Sequence, residues 1–385
     1  MKKIILLILP VLLFSLTSIA QESVLQEADM EFANKEYESA KTIYLINEAK
    51  LSPRQISNLG LCFFMENEHE TAVKYFEQAV EKGDAHGYRY LGYEYENGKG
   101  GLTQDKKKAF ELYQEGAKLE DNFSIFNLGY FYFNGVGTEK NDQLAFEYYS
   151  KAAELGHARA MNNLGNMYEH GFYVSPDFSK AHSLYKKSAE RGDVFGMTNF
   201  AEMYHEAIGV EKNMDIAIEW YTKAAEKKHT TAQNELGNLY LHGVGVEQDY
   251  EKAFYWFEQA AQQMELTAIV NIGRMYRLGQ GVEKNYGEAY KFFSYTAGQG
   301  NIYGMYELGN MFYNGEGVEK DLTKALGFYE KSGMSGFGES QTVAGYMYEN
   351  GEGTEINIEK AKEWYSKAKK SGSKYAAERL AELEK

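Results

Sequence analysis

Apolar and polar residues follow the period of an α-helix along most of the chain, in short stretches separated by glycine-rich loops. In the segment HTTAQNELGNLYLHGVGVEQDYEKAFYWFEQAAQQM, Ala232 and Leu236 share one helical stripe, and Ala253 and Phe257 share a second one. Stripes at this spacing are typical of amphipathic helices with one buried face. The loop HGVGVEQDY reverses the chain, since Gly243 tolerates the positive φ that ends a helix. The segment therefore predicts two antiparallel helices.

This two-helix pattern returns with a fixed period. A small residue in the first helix, glycine in all copies but one, recurs at spacings of 36 or 37 residues: Gly92, Gly129, Gly165, Ala201, Gly237, Gly273, Gly309 and Gly345. An alanine in the second helix recurs every 36 residues: Ala109, Ala145, Ala181, Ala217, Ala253, Ala289, Ala325 and Ala361. We call the first set the packing glycines, because a residue without a large side chain lets two helices approach. The period predicts an all-α solenoid of antiparallel helix pairs over residues 85–372.

The two ends of the chain differ from the repeats. Residues 1–20 have two lysines, an apolar run and small residues before Gln21, which predicts a signal peptide cleaved after Ala20. Residues 21–84 contain two shorter helix pairs without the glycine loop, and residues 373–385 predict one charged amphipathic helix that caps the last repeat. We expect an exported protein, periplasmic or secreted, with no membrane insertion after cleavage.

The net charge of the chain excludes one class of partner. The formal net charge is −15, and it becomes −17 once Lys2 and Lys3 leave with the signal peptide. A chain this acidic repels the phosphates of nucleic acids, so no nucleic-acid partner is expected.

Cys62 is the single cysteine, so no disulfide can form within the chain. We interpret Cys62 as a small buried apolar residue.

The repeat resembles a known family. The segments LGNLYLHGVGVEQDYEKAFYWFEQAAQ and LGYFYFNGVGTEKNDQLAFEYYSKAAELG are similar to the Sel-one-like repeat, a relative of the tetratricopeptide repeat. Residues 21–84 look like the parent tetratricopeptide repeat, because Gly60 and Ala72 are only 12 residues apart. The resemblance implies a right-handed α/α superhelix. It also implies a non-enzymatic scaffold, expected as a monomer, that binds a protein or an extended peptide on its concave surface.

Other kinds of function find little support in the sequence. The loop GVGVEQ lacks the third glycine of a dinucleotide motif and the Gly-Lys-Ser/Thr of a P-loop, and its repetition indicates a turn. His-Glu pairs at His69 and His205 lack the second histidine of a metal-binding helix. We therefore expect no catalytic residue, metal or cofactor. A periplasmic regulator of a membrane sensor, or a cell-envelope enzyme or wall-ligand binder, remains as an alternative.

Polar residues recur on the first helix of each pair, which lines the concave groove in tetratricopeptide-like proteins. The candidate groove residues lie two positions before and five positions after the packing glycines: Asn127, Asn163, Asn199 and Asn271 in the first row, and Asn134, His170, Glu206 and His242 in the second. An asparagine side chain can donate to and accept from the backbone of an extended peptide. The same asparagines could instead cap helices or bridge neighbouring repeats, and both interpretations stay open.

Overall fold

The computed structural model describes residues 23–385, and the predicted signal peptide lies outside them. The described residues form twenty-one α-helices and one short 3-10 helix, with no strand among them. The prediction of an all-α solenoid of helix pairs is confirmed. Residues 23–385 divide into two compact units with the boundary between Gly196 and Met197, and we call them the first and the second unit.

Nine helix pairs follow one another between residues 53 and 370. The first helices of the pairs are α3 Pro53–Met65, α5 Ala85–Asn97, α7 Asn122–Asn134, α9 Ala158–His170, α11 Val194–Glu206, α13 Thr230–His242, α15 Leu266–Leu278, α17 Ile302–Asn314 and α19 Gly338–Asn350. The second helices are α4 His69–Glu81, α6 Lys106–Lys118, α8 Asp142–Glu154, α10 Phe178–Glu190, α12 Met214–Glu226, α14 Tyr250–Ala261, α16 Tyr286–Gly298, α18 Leu322–Met334 and α20 Ile358–Lys370. They are preceded by α1 (23–33), α2 Tyr37–Ile46 and the 3-10 helix Glu48–Lys50, and followed by α21 Lys374–Leu383.

Each second helix from α6 onward begins at an aspartate or asparagine. The side-chain oxygen of Asp249, for example, accepts a hydrogen bond of 2.9 Å from the backbone N–H of Lys252. The same bond recurs three residues after every N-cap in this series: Asp105, Asn141, Asp177, Asn213, Asp249, Asn285, Asp321 and Asn357. A capped N-terminus satisfies a backbone donor that has no partner inside the helix, so these residues fix where each second helix starts.

The packing glycines make room for an aromatic ring of the second helix. A Cβ added to Gly237 would lie 2.5 Å from Cε1 of Phe257, which is closer than real contacts allow. Two helix backbones approach more closely at the position five residues before a packing glycine. Gly304, five residues before Gly309, is an example, because a Cβ there would lie 2.9 Å from the backbone nitrogen of Ala297 in the preceding pair. The rings that cover the packing positions are almost completely buried: Tyr113, Tyr149, Tyr185, Tyr221, Phe257, Phe293, Tyr329 and Tyr365.

The glycine loops are part of the packing between repeats. A Cβ on Gly137 would lie only 2.3 Å from the carbonyl oxygen of Lys106, because the loop rests on the start of the preceding second helix. Two loops keep the same left-handed backbone without glycine, at Tyr173 with a φ of 67° and at Ala207 with a φ of 60°. Left-handed backbone is unfavourable for residues with a Cβ, so the fold holds these two positions in place.

Within each unit, first helices also contact the first helix of the next pair, as α3 contacts α5 and α15 contacts α17. The residue that precedes a first helix often bonds to the first helix before it. The Ser57 hydroxyl donates to the N-cap carboxylate of Asp84 at 2.6 Å, and Arg159 Nε donates to Asp193 at 2.7 Å. Part of each first helix is therefore used to join repeats, and the remainder is open for other contacts.

Candidate protein-binding surface

The first helices of successive pairs present four aligned rows of side chains. Relative to the packing glycine, these rows lie six and two positions before it, and one and five positions after it. Positions separated by three or four residues share one side of a helix, so the four rows form a continuous strip on each first helix. The two predicted asparagine rows are the second and the fourth of these.

In the first unit the strip is rich in exposed aromatic rings. Tyr93 on α5 and Tyr130 on α7 occupy the row after the glycine, and Phe123 and Phe195 occupy the row six positions before it. All four rings are more than a third exposed. Exposed aromatic side chains that cluster on one surface are typical of protein-binding sites, because they bury a large area at low entropic cost.

Arginine side chains lie against these rings. The guanidinium carbon of Arg89 is 4.3 Å from the ring centre of Tyr90 and 4.5 Å from that of Phe123. Arg159 lies 3.7 Å from the ring centre of Phe195. A cation over an aromatic face is attracted by the ring electrons, so these contacts hold the rings in fixed orientations. We call the strip of the first unit the aromatic face.

Two histidines at the aromatic face are held in the neutral form. Burial, together with the nearby Arg89 and Arg54, lowers the pKa of His86 to about 3. Burial also lowers the pKa of His157 to about 4. The ring of His157 stacks on Phe126 with the ring centres 4.3 Å apart. At neutral pH the positive charge of this face therefore comes from its arginines.

The structure brings two of the predicted groove residues together in the first unit. Asn134 at the end of α7 and Asn163 on α9 line one depression of about 210 Å³, beside Tyr130 and Tyr149. Burial raises the pKa of Tyr149, and a hydrogen bond with Asn163 opposes that rise. Asn127 is half-buried, and its amide has no hydrogen-bond partner among residues 23–385. These three asparagines lie on or beside the aromatic face.

The second unit uses the same rows differently. Asn271 is buried, and its amide nitrogen lies 3.3 Å from the side-chain oxygens of both Asn234 and Asn238 on α13. Its side-chain oxygen accepts from Arg274 at 3.2 Å. The amide of Asn271 is thus occupied by contacts that bridge two repeats. Asn199 is half-buried on α11 and also has contacts of its own.

The bridging contacts continue into α17. Arg274 Nε donates to the carboxylate of Glu307 at 2.6 Å, and Arg277 lies 3.4 Å from the same carboxylate. The amide of Asn310 lies 3.3 Å from Glu307 and accepts from the hydroxyl of Tyr329 at 2.8 Å. We call this connected set the polar network: Asn234, Asn238, Asn271, Arg274, Arg277, Glu307, Asn310 and Tyr329. Its donors and acceptors are largely used within the protein.

The fourth row lies at the ends of the first helices. Its members Asn134, His170, Glu206 and His242 are each the last residue of a first helix, and all four are exposed. Asn134 donates a 2.9 Å hydrogen bond to the carbonyl of Tyr130 in its own helix. Asn97 and Asn350 make the same bond in their helices. The asparagines of this row therefore help to terminate helices.

The row six positions before the packing glycine was missed in the sequence analysis. It reads His86, Phe123, Arg159 and Phe195 through the first unit, then Thr231, Thr267, Tyr303 and Glu339 through the second. Arg54 extends this row to α3, where Gly60 is the equivalent of the packing glycines. The change from cations and rings to other residue types is visible in the sequence. Which of these side chains are exposed, and which contact a neighbouring repeat, can be read only from the fold.

Other kinds of site are not seen in the described part of the chain. No group of three or more histidine, cysteine, aspartate or glutamate side chains there could hold a metal ion. None of the helices within residues 23–385 is both long and apolar enough to cross a membrane. Cys62 is buried, as the sequence predicts.

The helix pairs, their glycine loops and the shared strip define an α-solenoid repeat protein. The Sel1 repeat model matches nine consecutive segments, namely 57–84, 85–121, 123–157, 158–193, 195–229, 230–263, 267–301, 302–337 and 338–373. The chain therefore belongs to the Sel1 repeat family. The first segment, 57–84, covers all but the first turn of the pair α3–α4, whose loop is shorter than the others. Sel1 repeat proteins typically act as protein-interaction scaffolds and are generally non-catalytic.

Two solved structures are similar over most of the chain. One is c5321, described as a protective antigen present in uropathogenic Escherichia coli strains displaying an SLR fold. It is 28% identical, with 94% of this chain and 80% of that chain covered and a TM-score of 0.70. The other is a Sel1 repeat protein from Oxalobacter formigenes, 28% identical, with 80% and 89% covered and a TM-score of 0.56. No curated protein sequence matches the chain.

Proposed function

We propose that this protein is an exported, non-enzymatic scaffold that binds an extended segment of a protein partner on the aromatic face of its first unit. The signal peptide that the sequence predicts in residues 1–20 supports an interaction in the periplasm or outside the cell. The mature chain acts as a monomer, and it binds neither nucleic acid nor membrane.

The observation that carries the proposal is the set of exposed rings on the first helices α5, α7 and α11. Tyr93, Phe123, Tyr130 and Phe195 line the strip, and arginines orient two of them. Aromatic and arginine side chains are the residue types that contribute most to binding energy at protein interfaces. The unpartnered side-chain amide of Asn127 supplies a donor and an acceptor between these rings for the backbone of a bound segment.

A capture experiment with matched variants tests this proposal. Mature wild type, Tyr93→Ala/Tyr130→Ala and Tyr346→Ala are immobilised and exposed to cell-envelope extract, and bound proteins are identified by mass spectrometry. Tyr346 is the control, because it occupies the same row as Tyr130 but belongs to the second unit. It is 37% exposed, compared with 43% for Tyr130.

We expect a protein that wild type and Tyr346→Ala capture and that the double variant loses. Loss of two exposed ring contacts should weaken binding at least about tenfold. Equal capture by all three proteins would reject the aromatic face as the binding surface. Thermal melts of the three proteins show whether each variant is folded.

A further inference from the structure

A large cavity in the first unit lies beside the aromatic face. It measures about 650 Å³ and opens among α3, α5 and α7, with Phe32 of α1 on one side. The rings of Phe32, Tyr90 and Phe123 form its apolar walls, and Arg54 and Arg89 bring positive charge to it. A cavity with aromatic walls and convergent charged groups is the usual form of a recognition pocket.

The two arginines differ in what they contact. Arg89 is packed between Tyr90 and Phe123, and its Nη1 lies 3.5 Å from the carboxylate of Asp121. Arg54 is exposed, and within residues 23–385 it has neither an ion pair nor a hydrogen bond. One guanidinium in the cavity is thus structural, and the other is available to a ligand.

The charged side chains that line the cavity are Arg54, Arg89, Glu120 and Asp121. Arg89 lies beside Asp121, whereas Arg54 forms no ion pair with Glu120 or with any other carboxylate of residues 23–385. His86 adds no charge at neutral pH, since its pKa is lowered to about 3. Arg54 is therefore the cation of this cavity that has no ion-pair partner in the described residues.

Fold stability does not explain the position of Arg54. It is the second residue of α3, where the positive end of the helix dipole disfavours a cation. Arg159 occupies the same register on α9 and is paired with Asp193. The corresponding carboxylate for Arg54 would be Asp84, but Asp84 bonds instead to the hydroxyl of Ser57 and to two backbone N–H groups.

We propose that this cavity binds an aspartate or glutamate side chain of the partner segment, with Arg54 as the residue that pairs with its carboxylate. The inference rests on the proposed function, because the segment lies on the aromatic face. The rings of Phe32 and Phe123 contact an apolar side chain next to the acid. The unpaired guanidinium of Arg54 can pair with one carboxylate, whereas a doubly charged phosphate would be repelled more strongly than a carboxylate by Asp121 and Glu120.

A side chain fits better than a chain terminus because the cavity is continuous with the aromatic face. Phe123 forms a wall of the cavity and also belongs to the row of exposed rings on α7. A segment that contacts Tyr130 and then Phe123 can pass the opening and continue beyond it. Its backbone stays on the surface while one acidic side chain enters.

Peptide binding to the full mature protein tests the assignment. The probes are an array of short peptides with acetylated and amidated ends, in which one glutamate stands next to an aromatic residue, and the same peptides with glutamine in place of glutamate. Binding to wild type, Arg54→Ala, Arg54→Lys and Arg191→Ala is measured by fluorescence anisotropy. Arg191 is the matched control, because it is also exposed and has no acidic partner in residues 23–385.

We expect wild type and Arg191→Ala to bind the glutamate peptides about tenfold more tightly than the glutamine peptides. Arg54→Ala should lose this preference, and Arg54→Lys should retain part of it, because lysine keeps the charge but not the planar fork. The melting temperature of Arg54→Ala should equal or exceed that of wild type, since a cation leaves a helix N-terminus.

Several results would overturn the assignment. Equal binding of glutamate and glutamine peptides by wild type would reject it while leaving the aromatic face as a binding surface. Failure of wild type to bind any peptide of the array would count against both proposals. Binding only of peptides with a free carboxyl terminus would assign the cavity to a chain end. Binding of inorganic phosphate to wild type but not to Arg54→Ala, without a glutamate preference, would assign it to a phosphate group.

Discussion

The first helices of the two units share one architecture but present different surfaces. In the first unit the strip carries exposed rings and an asparagine, Asn127, whose amide is unpartnered in the described residues. In the second unit the same register carries Asn271 and Glu307, whose polar atoms are used in the network between repeats. The same row of a repeat is therefore exposed in one part of the solenoid and used for contacts between repeats in another.

The difference follows from which side chains can reach the next repeat. Arg274 extends to Glu307, 33 residues away, and this contact draws Asn271 and Asn310 into one connected set. At the position of Arg274 the first unit has Tyr93 and Tyr130, whose rings stay exposed. An arginine in this row therefore closes the strip, and a tyrosine leaves it open.

The largest expected effect concerns the centre of the polar network. Glu307 is 3% exposed and pairs with Arg274 and Arg277. Glu307→Ala leaves two partly buried arginines without their shared carboxylate, so the free energy of unfolding should fall by about 3 kcal/mol. Urea denaturation followed by circular dichroism measures it. Glu307→Gln, which keeps the shape of the side chain, should lower the free energy of unfolding by less. An unchanged midpoint for Glu307→Ala would show that the polar network does not stabilise the fold.

The packing glycines should behave alike in both units, which separates the shared scaffold from the different surfaces. A Cβ on Gly165 would lie 2.6 Å from Tyr185, and one on Gly237 would lie 2.5 Å from Phe257. Gly165→Val and Gly237→Val should each cost about 1–3 kcal/mol through overpacking. Denaturation of both variants checks this. A change in only one of them would mean that the scaffold itself differs between the units.

The two asparagines of the predicted groove row should give opposite results. Asn271→Ala removes a bridge to Asn234 and Asn238, so it should destabilise the protein by about 1 kcal/mol and leave partner capture unchanged. Asn127→Ala should change stability by less than about 0.5 kcal/mol but weaken capture. Thermal melts and capture are measured on both variants. Equal behaviour of the two would contradict the division between surfaces.

A smaller effect on stability is expected when the pH is lowered, because of His157 in the first unit. Since the pKa of His157 is lowered to about 4 from the ordinary 6.5, the folded state binds fewer protons than the unfolded state between these values. The contribution of the neutral His157 imidazole to the free energy of unfolding is fully present above about pH 6.5, and it should fall as the pH drops through this window. His157→Asn keeps an acceptor for the backbone N–H of Ala160 and removes the titration.

The variant should therefore lose part of the wild-type pH dependence. The change in slope is at most about 1.4 kcal/mol per pH unit, the limit for one proton. Urea midpoints at several pH values across the window provide the measurement. Identical slopes for wild type and His157→Asn would mean that the imidazole is not held neutral.

The fold could be predicted from the sequence because its determinants are local and repeated. Gly237 and Ala253 recur with the period of the helix pair, and Asp249 and its equivalents mark each second helix. The alignment of polar residues on first helices was also visible. The prediction did not anticipate that a ring, such as Phe257, rather than a helix backbone, covers the packing glycine.

The surface could be predicted only in part. Asn127 and Asn271 stand at the same repeat position, so sequence alone gives them the same role. Their roles differ because the partners of Asn271 lie 33 and 37 residues earlier in the chain, and only the fold brings them together. The arginines that orient Phe123 and Phe195 depend on the same long-range placement.

The most direct test of the proposed binding surface is to identify which position of the protein contacts the partner. A photoreactive phenylalanine analogue replaces either Tyr130 or Tyr346 in the full-length chain, and cells that produce each protein are irradiated. The two positions share the same row and a similar exposure, and they differ in the unit to which they belong. We predict a crosslinked partner from position 130 and none from position 346. A crosslinked partner from position 346, with none from position 130, would contradict the claim that the aromatic face binds.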